Sequence, residues 1–204
     1  MKAVQAISRS GDTVHTGARG FSLIELLAVL AIAAVLLGVG VPNLQHYVVS
    51  SRLSGASNEF FTALNVARSE AIRRGAQVTL ITNGAANSRD WTSGWRMFVD
   101  ADRDGALGAG EEVLRVGSAM EGPMTMFGSA NFGTSVSFDS TGRLTSGGGS
   151  FVICLGTDLV VDGQARSRAV VLNAAGRPRL AFDSNGDKIP ENDTGANVPN
   201  CTNS

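Results

Sequence analysis

The hydrophobic positions of this chain form two different patterns along one stretch of its N-terminal third. From Phe21 to Val41 the residues are apolar or small, and Glu25 is the only charged residue among them. An α-helix rises about 1.5 Å per residue, so a run of this length can cross the hydrocarbon core of a bilayer. We therefore predict a membrane-spanning helix here, with a carboxylate near its start.

After Pro42 the apolar positions narrow to a single stripe, as expected for an amphipathic helix. The stripe consists of Leu53, Ala56, Phe60, Ala63, Leu64, Ala67 and Ala71. Gly75 follows Arg73 and Arg74, which is typical of a helix C-terminus. The two patterns together predict one helix from about residue 22 to residue 74, roughly 80 Å long. Its apolar half is 21–42 and its amphipathic half is 43–75.

Residues 76–204 have the alternation and the frequent Gly and Ser turns of a β-rich head. We predict six or seven antiparallel strands packed on the helix, which makes the fold class α+β. The predicted strands are Gln77–Thr82, Trp91–Val99, Glu112–Val116, Val136–Phe138, Phe151–Leu155, Ala169–Asn173 and Pro178–Phe182. Residues 183–204 are polar and without periodicity, so we expect a loop there.

Charge before the apolar run predicts its orientation in a membrane. Residues 1–20 carry Lys2, Arg9 and Arg19 against the single acid Asp12. Such an excess of positive charge keeps the N-terminus cytoplasmic and sends the C-terminal part across. No small-residue cleavage motif follows the run, which argues against an ordinary secretory signal and leaves a simple signal-anchor as the alternative. A carboxylate in a membrane helix is costly, so Glu25 needs a partner or a function.

The run Gly20-Phe21-Ser22-Leu23-Ile24-Glu25 resembles the prepilin peptidase site of type IV pilins and type II secretion pseudopilins. The resemblance implies that 1–20 is a leader peptide and that the peptidase cuts between Gly20 and Phe21 and N-methylates Phe21. It implies that Glu25 meets the terminal amine of a neighbouring subunit during filament assembly. It also implies an inner-membrane protein with its head, 76–204, in the periplasm.

A second stretch narrows the resemblance. The run from Ala67 to Leu80, ARSEAIRRGAQVTL, is similar to the GspH/FimT branch of minor pilins and pseudopilins. The implied function is structural, with other pilins or pseudopilins as partners. Two machines remain open: a type IV pilus, or a type II secretion pseudopilus in which the chain would be the H-type minor pseudopilin.

The two cysteines and two histidines limit the chemistry of the head. Cys154 and Cys201 both follow the predicted membrane helix, so we expect them to pair in an oxidising compartment, with two free thiols as the alternative. His15 and His46 both lie outside 76–204. Without a histidine base or a Gly-x-Ser-x-Gly motif in the head, a membrane-anchored hydrolase is disfavoured, and we predict that the chain is not an enzyme and needs no cofactor.

An acidic loop between the second and third predicted strands matches the calcium-loop pattern D-x-[DN]-x-[DN]-G-x5-E. Its carboxylates are Asp100, Asp102, Asp104 and Glu111. The flanking segments favour strands rather than helices, so a solvated turn is the alternative, and a calcium-binding membrane-anchored module is a less favoured function. A weaker match, Asp183 to Asp187, favours a turn.

The formal net charge of −1 gives no general reason to expect nucleic acid binding, but one segment is locally basic. Residues 166–180 carry four arginines and no acid: Arg166, Arg168, Arg177 and Arg179. Gly176-Arg177-Pro178-Arg179 resembles the GRxR element of FimT minor pilins that bind DNA, which implies double-stranded DNA as a partner. We expect the glycine to let a phosphate approach the backbone. The alternative is an edge strand that is charged to resist aggregation.

Overall fold

The computed structural model describes residues 20–86 and 88–202, and its longest element is one helix. This helix, α1, spans Leu23–Arg74, which confirms the helix predicted from the two apolar patterns. The chain divides into two compact units between Asn43 and Leu44, so the second half of α1 belongs to the same unit as the head.

The C-terminus of α1 is closed by a Schellman motif, because both of its characteristic hydrogen bonds form. The Ala76 amide donates to the Ala71 carbonyl (3.3 Å) and the Gly75 amide donates to the Ile72 carbonyl (3.4 Å). Gly75 has a φ of +62°, in the left-handed region that glycine adopts at little cost. The predicted stop at Gly75 is confirmed.

The described part of the head contains ten strands, all paired antiparallel. They are β1 Val78–Thr82, β2 Trp95–Val99, β3 Val113–Gly117, β4 Met124–Gly128, β5 Ser135–Phe138, β6 Gly149–Leu155, β7 Val160–Val161, β8 Gln164–Ala165, β9 Ser167–Leu172 and β10 Pro178–Leu180. A short 3₁₀ turn covers Ala130–Phe132.

These strands form two four-stranded sheets and a small hairpin. The first sheet has the order β3-β2-β1-β5 and the second has the order β10-β9-β6-β4, while β7 and β8 pair only with each other. The observed strands include all seven predicted segments with shifted ends, and the predicted α+β, pilin-like class is confirmed.

The main core lies between α1 and the two sheets. The apolar stripe of α1 supplies Leu53, Phe60, Ala63, Leu64, Ala67 and Ala71. Phe60 is 1% exposed and meets Trp91, Trp95 and Phe151 edge to face, with centroid separations of 6.0, 6.2 and 4.7 Å. Edge-to-face contacts of this kind add to the stabilisation from buried area. The stripe read from the sequence is therefore the face that holds the head on the helix.

A second, smaller cluster covers the other face of the second sheet. It joins Val152, Cys154 and Ala169 of the sheet to Val198 and Cys201 of the C-terminal loop. Cys154 and Cys201 form a disulfide, as predicted, with their Cα atoms 5.8 Å apart. The polar C-terminal segment is therefore packed on the head, and β6 is buried on both faces.

Two parts of the head differ from the expected elements. β4 and the hairpin β7–β8 lie in segments for which no strand was predicted. Trp91 was expected inside the second strand but precedes β2, and its indole N–H donates to the Gly133 carbonyl (2.8 Å). That buried hydrogen bond satisfies the indole donor and ties the loop before β2 to the loop after the 3₁₀ turn.

Candidate functional site

The proposed processing site lies in non-helical backbone immediately before α1. Gly20, Phe21 and Ser22 precede the helix, and the Phe21 side chain is 78% exposed. A Cβ placed on Gly20 would meet no atom within 4 Å. Both residues that flank this peptide bond are exposed and lie outside the helix, so cutting the bond requires no local unfolding of α1.

Glu25 lies in the first turn of α1, where a negative charge is favoured by the helix dipole. Its backbone amide donates to the Ser22 hydroxyl (3.2 Å), so Ser22 caps the helix. Ser22 and Glu25 have the S-x-x-E spacing of a capping box, and the hydrogen bond from the Glu25 amide to the Ser22 hydroxyl is one half of that motif. Its side chain is exposed in a segment that is otherwise apolar.

The segment around Glu25 exposes apolar side chains on every face of the helix. Exposed are Phe21, Leu23, Ile24, Leu26, Leu27, Val29, Leu30, Ile32, Val35, Leu36 and Leu37. A helix that is apolar on all sides is stable only when something apolar covers it. Within the part of the chain that the structure describes, no helix combines the length and the apolar character that a membrane crossing requires. The membrane span over 21–41 stays a prediction.

The acidic loop brings three of its four predicted carboxylates together. Asp100, Asp102 and Asp104 each place one carboxylate oxygen within 4.8 Å of the others. Glu111 does not join them. Its Oε1 accepts the Ala101 amide and its Oε2 accepts the Gly108 amide, each at 2.8 Å. The structure therefore does not bring Glu111 into this carboxylate cluster, because both of its oxygens accept hydrogen bonds from the loop backbone.

Asp100 is buried, being 1% exposed, at the end of β2. Its Oδ2 accepts hydrogen bonds from the Gln77 side chain (2.8 Å), the Thr79 hydroxyl (2.7 Å) and the Gly105 amide (3.1 Å). Its Oδ1 is also buried and accepts no hydrogen bond from the described residues. This arrangement links the loop to β1, and sequence reasoning missed it because Gln77 and Thr79 are distant in the chain.

The four arginines of the basic segment have different surroundings. Arg168 is half-buried and donates to the Ser167 carbonyl (2.9 Å) and, from its other terminal nitrogen, to the Ser50 hydroxyl on α1 (3.2 Å). Arg166 is half-buried, and its Nε finds no hydrogen-bond partner among the described residues. Two of the four predicted phosphate-binding residues are therefore partly covered by the head itself.

Arg177 and Arg179 are exposed at and beside β10. The Arg179 guanidinium lies 5.6 Å from the centre of the Phe182 ring and donates to the Asn192 carbonyl (3.5 Å). Residues at i and i+2 on a strand share a face, so both arginines can address one ligand. The structure does not make one site of all four arginines.

Gly176, the glycine of the GRxR-like element, is buried against another backbone segment. Its φ is +74°, and a Cβ at this position would lie 2.1 Å from the Gly142 carbonyl oxygen. The same carbonyl accepts a hydrogen bond from Arg68 Nε of α1 (3.0 Å). The expectation that this glycine opens the backbone to a phosphate is wrong, because the space beside it is filled by residues 142 and 143.

This architecture is similar to that of a known protein family and of solved structures. The profile of the family described as Type II transport protein GspH matches residues 56–176, more than half of the chain. The chain belongs to the GspH family. A second profile, the prokaryotic N-terminal methylation motif, matches residues 16–41. GspH-family proteins are structural pilins or pseudopilins rather than enzymes, in agreement with the sequence analysis.

Individual relatives of this GspH-family chain are pilin-like. It is 40% identical over 96 residues to the pilin-like protein PilA1 of Thermus thermophilus, a match that covers 46% of this chain and 56% of that protein. The chain thus spans little more than half the length of this curated relative.

Two solved structures are similar to this chain, and one of them shares its fold. The type IV minor pilin FimU of Pseudomonas aeruginosa has 20% sequence identity and a TM-score of 0.53, over 75% of this chain and 97% of that one. The minor pseudopilin EpsH of the Vibrio cholerae type II secretion system has 14% identity and a TM-score of 0.43, over 63% and 95%. The FimU match confirms the pilin-like fold of the GspH-family chain.

Proposed function

We propose that this chain is made as a precursor, cut between Gly20 and Phe21 by a prepilin peptidase, and assembled with other pilins or pseudopilins into a filament. The observation that carries the proposal is the cleavage-site sequence, which lies in exposed backbone directly before the part of α1, residues 23–37, that exposes apolar side chains on every face. The match of 16–41 to the methylation motif supports it. Before assembly, 21–41 anchors the subunit in the inner membrane with the head in the periplasm.

Glu25 is the proposed assembly contact. A carboxylate in an apolar helix bundle is stable when a cation pairs with it, and the new terminal amine of a neighbouring Phe21 supplies one. The Ser22 hydroxyl accepts the Glu25 amide at the start of the helix without using the Glu25 carboxylate, which is exposed. The exposed apolar faces would be covered first by lipid and then by neighbouring helices.

The processing step is tested by expressing the full chain with and without a prepilin peptidase and sequencing its N-terminus by mass spectrometry. We expect the mature chain to begin at an N-methylated Phe21. Gly20→Glu should block the cut, because the bulky charge replaces the small residue before the scissile bond. Gly38→Ala is the matched control, since a Cβ at Gly38 meets nothing within 4 Å, and it should be cut normally. Cleavage elsewhere would contradict the proposal.

The assembly step is tested with Glu25→Ala and Glu25→Gln in the producing cell. Both should be processed and leave the head folded, yet be at least tenfold depleted from sheared filaments, because neither offers a charge to the amine. Ser22→Ala removes the helix cap and Glu59→Ala removes an exposed acid of the same helix. Both controls should enter filaments normally. If Ser22→Ala matches the Glu25 variants, the defect lies in the helix start rather than in an ion pair.

The filament belongs either to a type IV pilus or to a type II secretion system. We propose a type IV pilus, because the chain is similar to PilA1 and FimU. Deleting the gene should then reduce surface piliation and leave secretion of folded proteins intact. Loss of secretion with normal piliation would instead assign the chain to a type II secretion pseudopilus.

Capture of double-stranded DNA is a second candidate function, with Arg177 and Arg179 as the binding residues. Their exposure at and beside the short edge strand β10 is the observation that favours it. Two phosphate contacts would give weak binding with a salt slope of about −2. Arg177→Ala/Arg179→Ala should abolish gel retardation at low salt, whereas Arg103→Ala/Arg115→Ala removes two exposed arginines elsewhere and should not. Equal binding by both double variants would contradict the assignment.

A further inference from the structure

We propose that the loop after β2 binds one Ca²⁺ ion through the carboxylates of Asp100, Asp102 and Asp104. Their oxygens lie within 4.8 Å of one another, close enough to contact one ion. Ca²⁺ takes oxygen ligands at about 2.3–2.6 Å and tolerates irregular geometry, so backbone carbonyls and water can complete the shell. This inference concerns the head alone and goes beyond the proposed filament function.

The buried carboxylate oxygen of Asp100 is the observation that requires a ligand. Asp100 is 1% exposed, and its Oδ1 accepts no hydrogen bond from the described residues, whereas its Oδ2 accepts three. A buried acceptor without a partner is destabilising, and a buried charge is more so. A cation at Oδ1 removes this cost.

The neighbouring charges strengthen the case for a divalent ion. Asp102 and Asp104 bring two more carboxylates to Asp100, and the ion pairs seen among the described residues involve Glu70 and Glu112 instead. Three carboxylates at this spacing repel one another unless a cation lies between them. Sites built only from oxygen ligands favour Ca²⁺ or Mg²⁺. Mg²⁺ retains several waters and commonly binds one or two carboxylates, whereas this loop offers three, which favours Ca²⁺.

Glu111 has a different role in this site from the glutamate at the same position of helix-flanked calcium loops, which binds the ion. Both of its oxygens accept backbone amides, of Ala101 and Gly108, so it shapes the loop without touching the ion. Asp102 and Asp104 each use one oxygen for a backbone amide, at 3.2 Å to Asp104 N and 2.7 Å to Ala106 N, and keep the other available. The ion therefore binds three aspartates, and Glu111 is a positioning residue.

The experiment uses the full chain in detergent, freed of metal with a chelator and titrated with CaCl₂. We expect one-to-one binding by calorimetry and a rise in Tm of about 5–10 °C at a hundredfold excess over Kd. Asp102→Asn/Asp104→Asn keeps both amide acceptors and should lose the Tm rise. Asp158→Asn/Asp193→Asn removes two exposed acids elsewhere and should keep it. Glu111→Gln loses the acceptor of one loop amide, so it should weaken Ca²⁺ binding while keeping one ion per chain.

Three results would overturn the site. They are no heat and no Tm change at millimolar Ca²⁺, an equal Tm rise with Mg²⁺, or a rise that survives in Asp102→Asn/Asp104→Asn. Both aspartates of that variant are exposed, so the metal-free Tm and circular dichroism of the variant should match those of the parent chain. If Glu111→Gln alone abolishes binding with an unchanged metal-free Tm, the three-aspartate site is also wrong.

Discussion

In the GRxR-like element, the glycine is needed for packing and the two arginines are available for binding. Gly176 is required by the fold, since its left-handed φ and the Gly142 carbonyl leave no room for a side chain. Arg177 and Arg179 are exposed, and the Arg179 side chain contacts Phe182 and the Asn192 carbonyl. A four-residue motif thus mixes a structural glycine with two surface charges, and only the charges are available to a ligand.

Gly176→Ala should destabilise the head by about 2–4 kcal/mol, combining left-handed strain with overpacking against rigid backbone. Thermal and urea unfolding of the detergent-solubilised chain measure it. Gly195→Ala is the control, because Gly195 also has a positive φ, +84°, but no atom within 4 Å of its Cβ position. It should cost about 1–2 kcal/mol. Equal losses in the two variants would show that the close approach at Gly142 has no cost.

A single residue, Asp139, makes the stability of the head depend on pH. Hydrogen bonds from the Thr141 hydroxyl and from the Thr141 and Arg143 amides lower the pKa of its carboxyl. A lowered pKa in the folded state contributes stability above the ordinary aspartate pKa of about 3.9, and that contribution is lost as pH falls through the folded pKa.

The stability difference between the parent and Asp139→Asn should therefore be largest at neutral pH and shrink below about pH 4. Urea midpoints at pH 7 and pH 3 measure it. Asp193→Asn, in the C-terminal loop, serves as the control for removing an exposed aspartate. A difference for Asp139→Asn that is constant across this range would contradict the assignment.

At the scale of elements, the head is attached to the second half of α1 by one aromatic centre and by contacts at the end of the helix. Phe60 lies at the centre of the aromatic group, and at the helix end Arg74 donates to both Glu112 oxygens (2.6 and 3.1 Å). The Glu112 and Glu70 carboxylates raise the pKa of Arg74 and keep it charged. The ion pair is partly solvated, so burial of Phe60 dominates the attachment.

Phe60→Ala should cost about 3–5 kcal/mol, because it leaves a cavity among Trp91, Trp95 and Phe151. Near-ultraviolet circular dichroism should report the loss through both tryptophans. Phe182→Ala is the control of the same residue type, since Phe182 is 64% exposed, and it should cost less than about 1 kcal/mol. Comparable losses in the two variants would mean that Phe60 is not central.

At the scale of the whole molecule, the sequence predicted the long helix almost to the residue because its apolar spacing, Arg-rich end and Gly75 all agree. It also predicted the disulfide and seven of the ten strands found among residues 20–86 and 88–202. β4, with the sequence MTMFG, was missed because methionines and a terminal glycine carry little β signal, and its pairing with β6 comes from the tertiary fold. The sequence also could not predict which of the four arginines are exposed, because the contact between Arg168 and Ser50 of α1 joins residues that are far apart in the chain.

Replacing both cysteines by serine should destabilise the head by about 4 kcal/mol, because the disulfide closes a separation of 47 residues. The covered face of the second sheet should also open. Trypsin cleavage after Lys188, in the C-terminal loop, should become at least tenfold faster, while cleavage after Arg115 on β3 should change little. Unchanged cleavage at Lys188 would show that packing of Val198 and Ile189 holds the loop without the disulfide.

The short strand β10 has a consequence for how copies of the head meet. It ends the second sheet with three residues, and the first, Pro178, has no amide hydrogen to offer to an incoming strand. The second, Arg179, adds charge to the same edge. Addition of a strand from a second copy is therefore disfavoured at this edge, because one residue lacks the amide hydrogen and its neighbour is charged. The β10 edge is thus protected against the edge-to-edge aggregation that an unpaired strand invites.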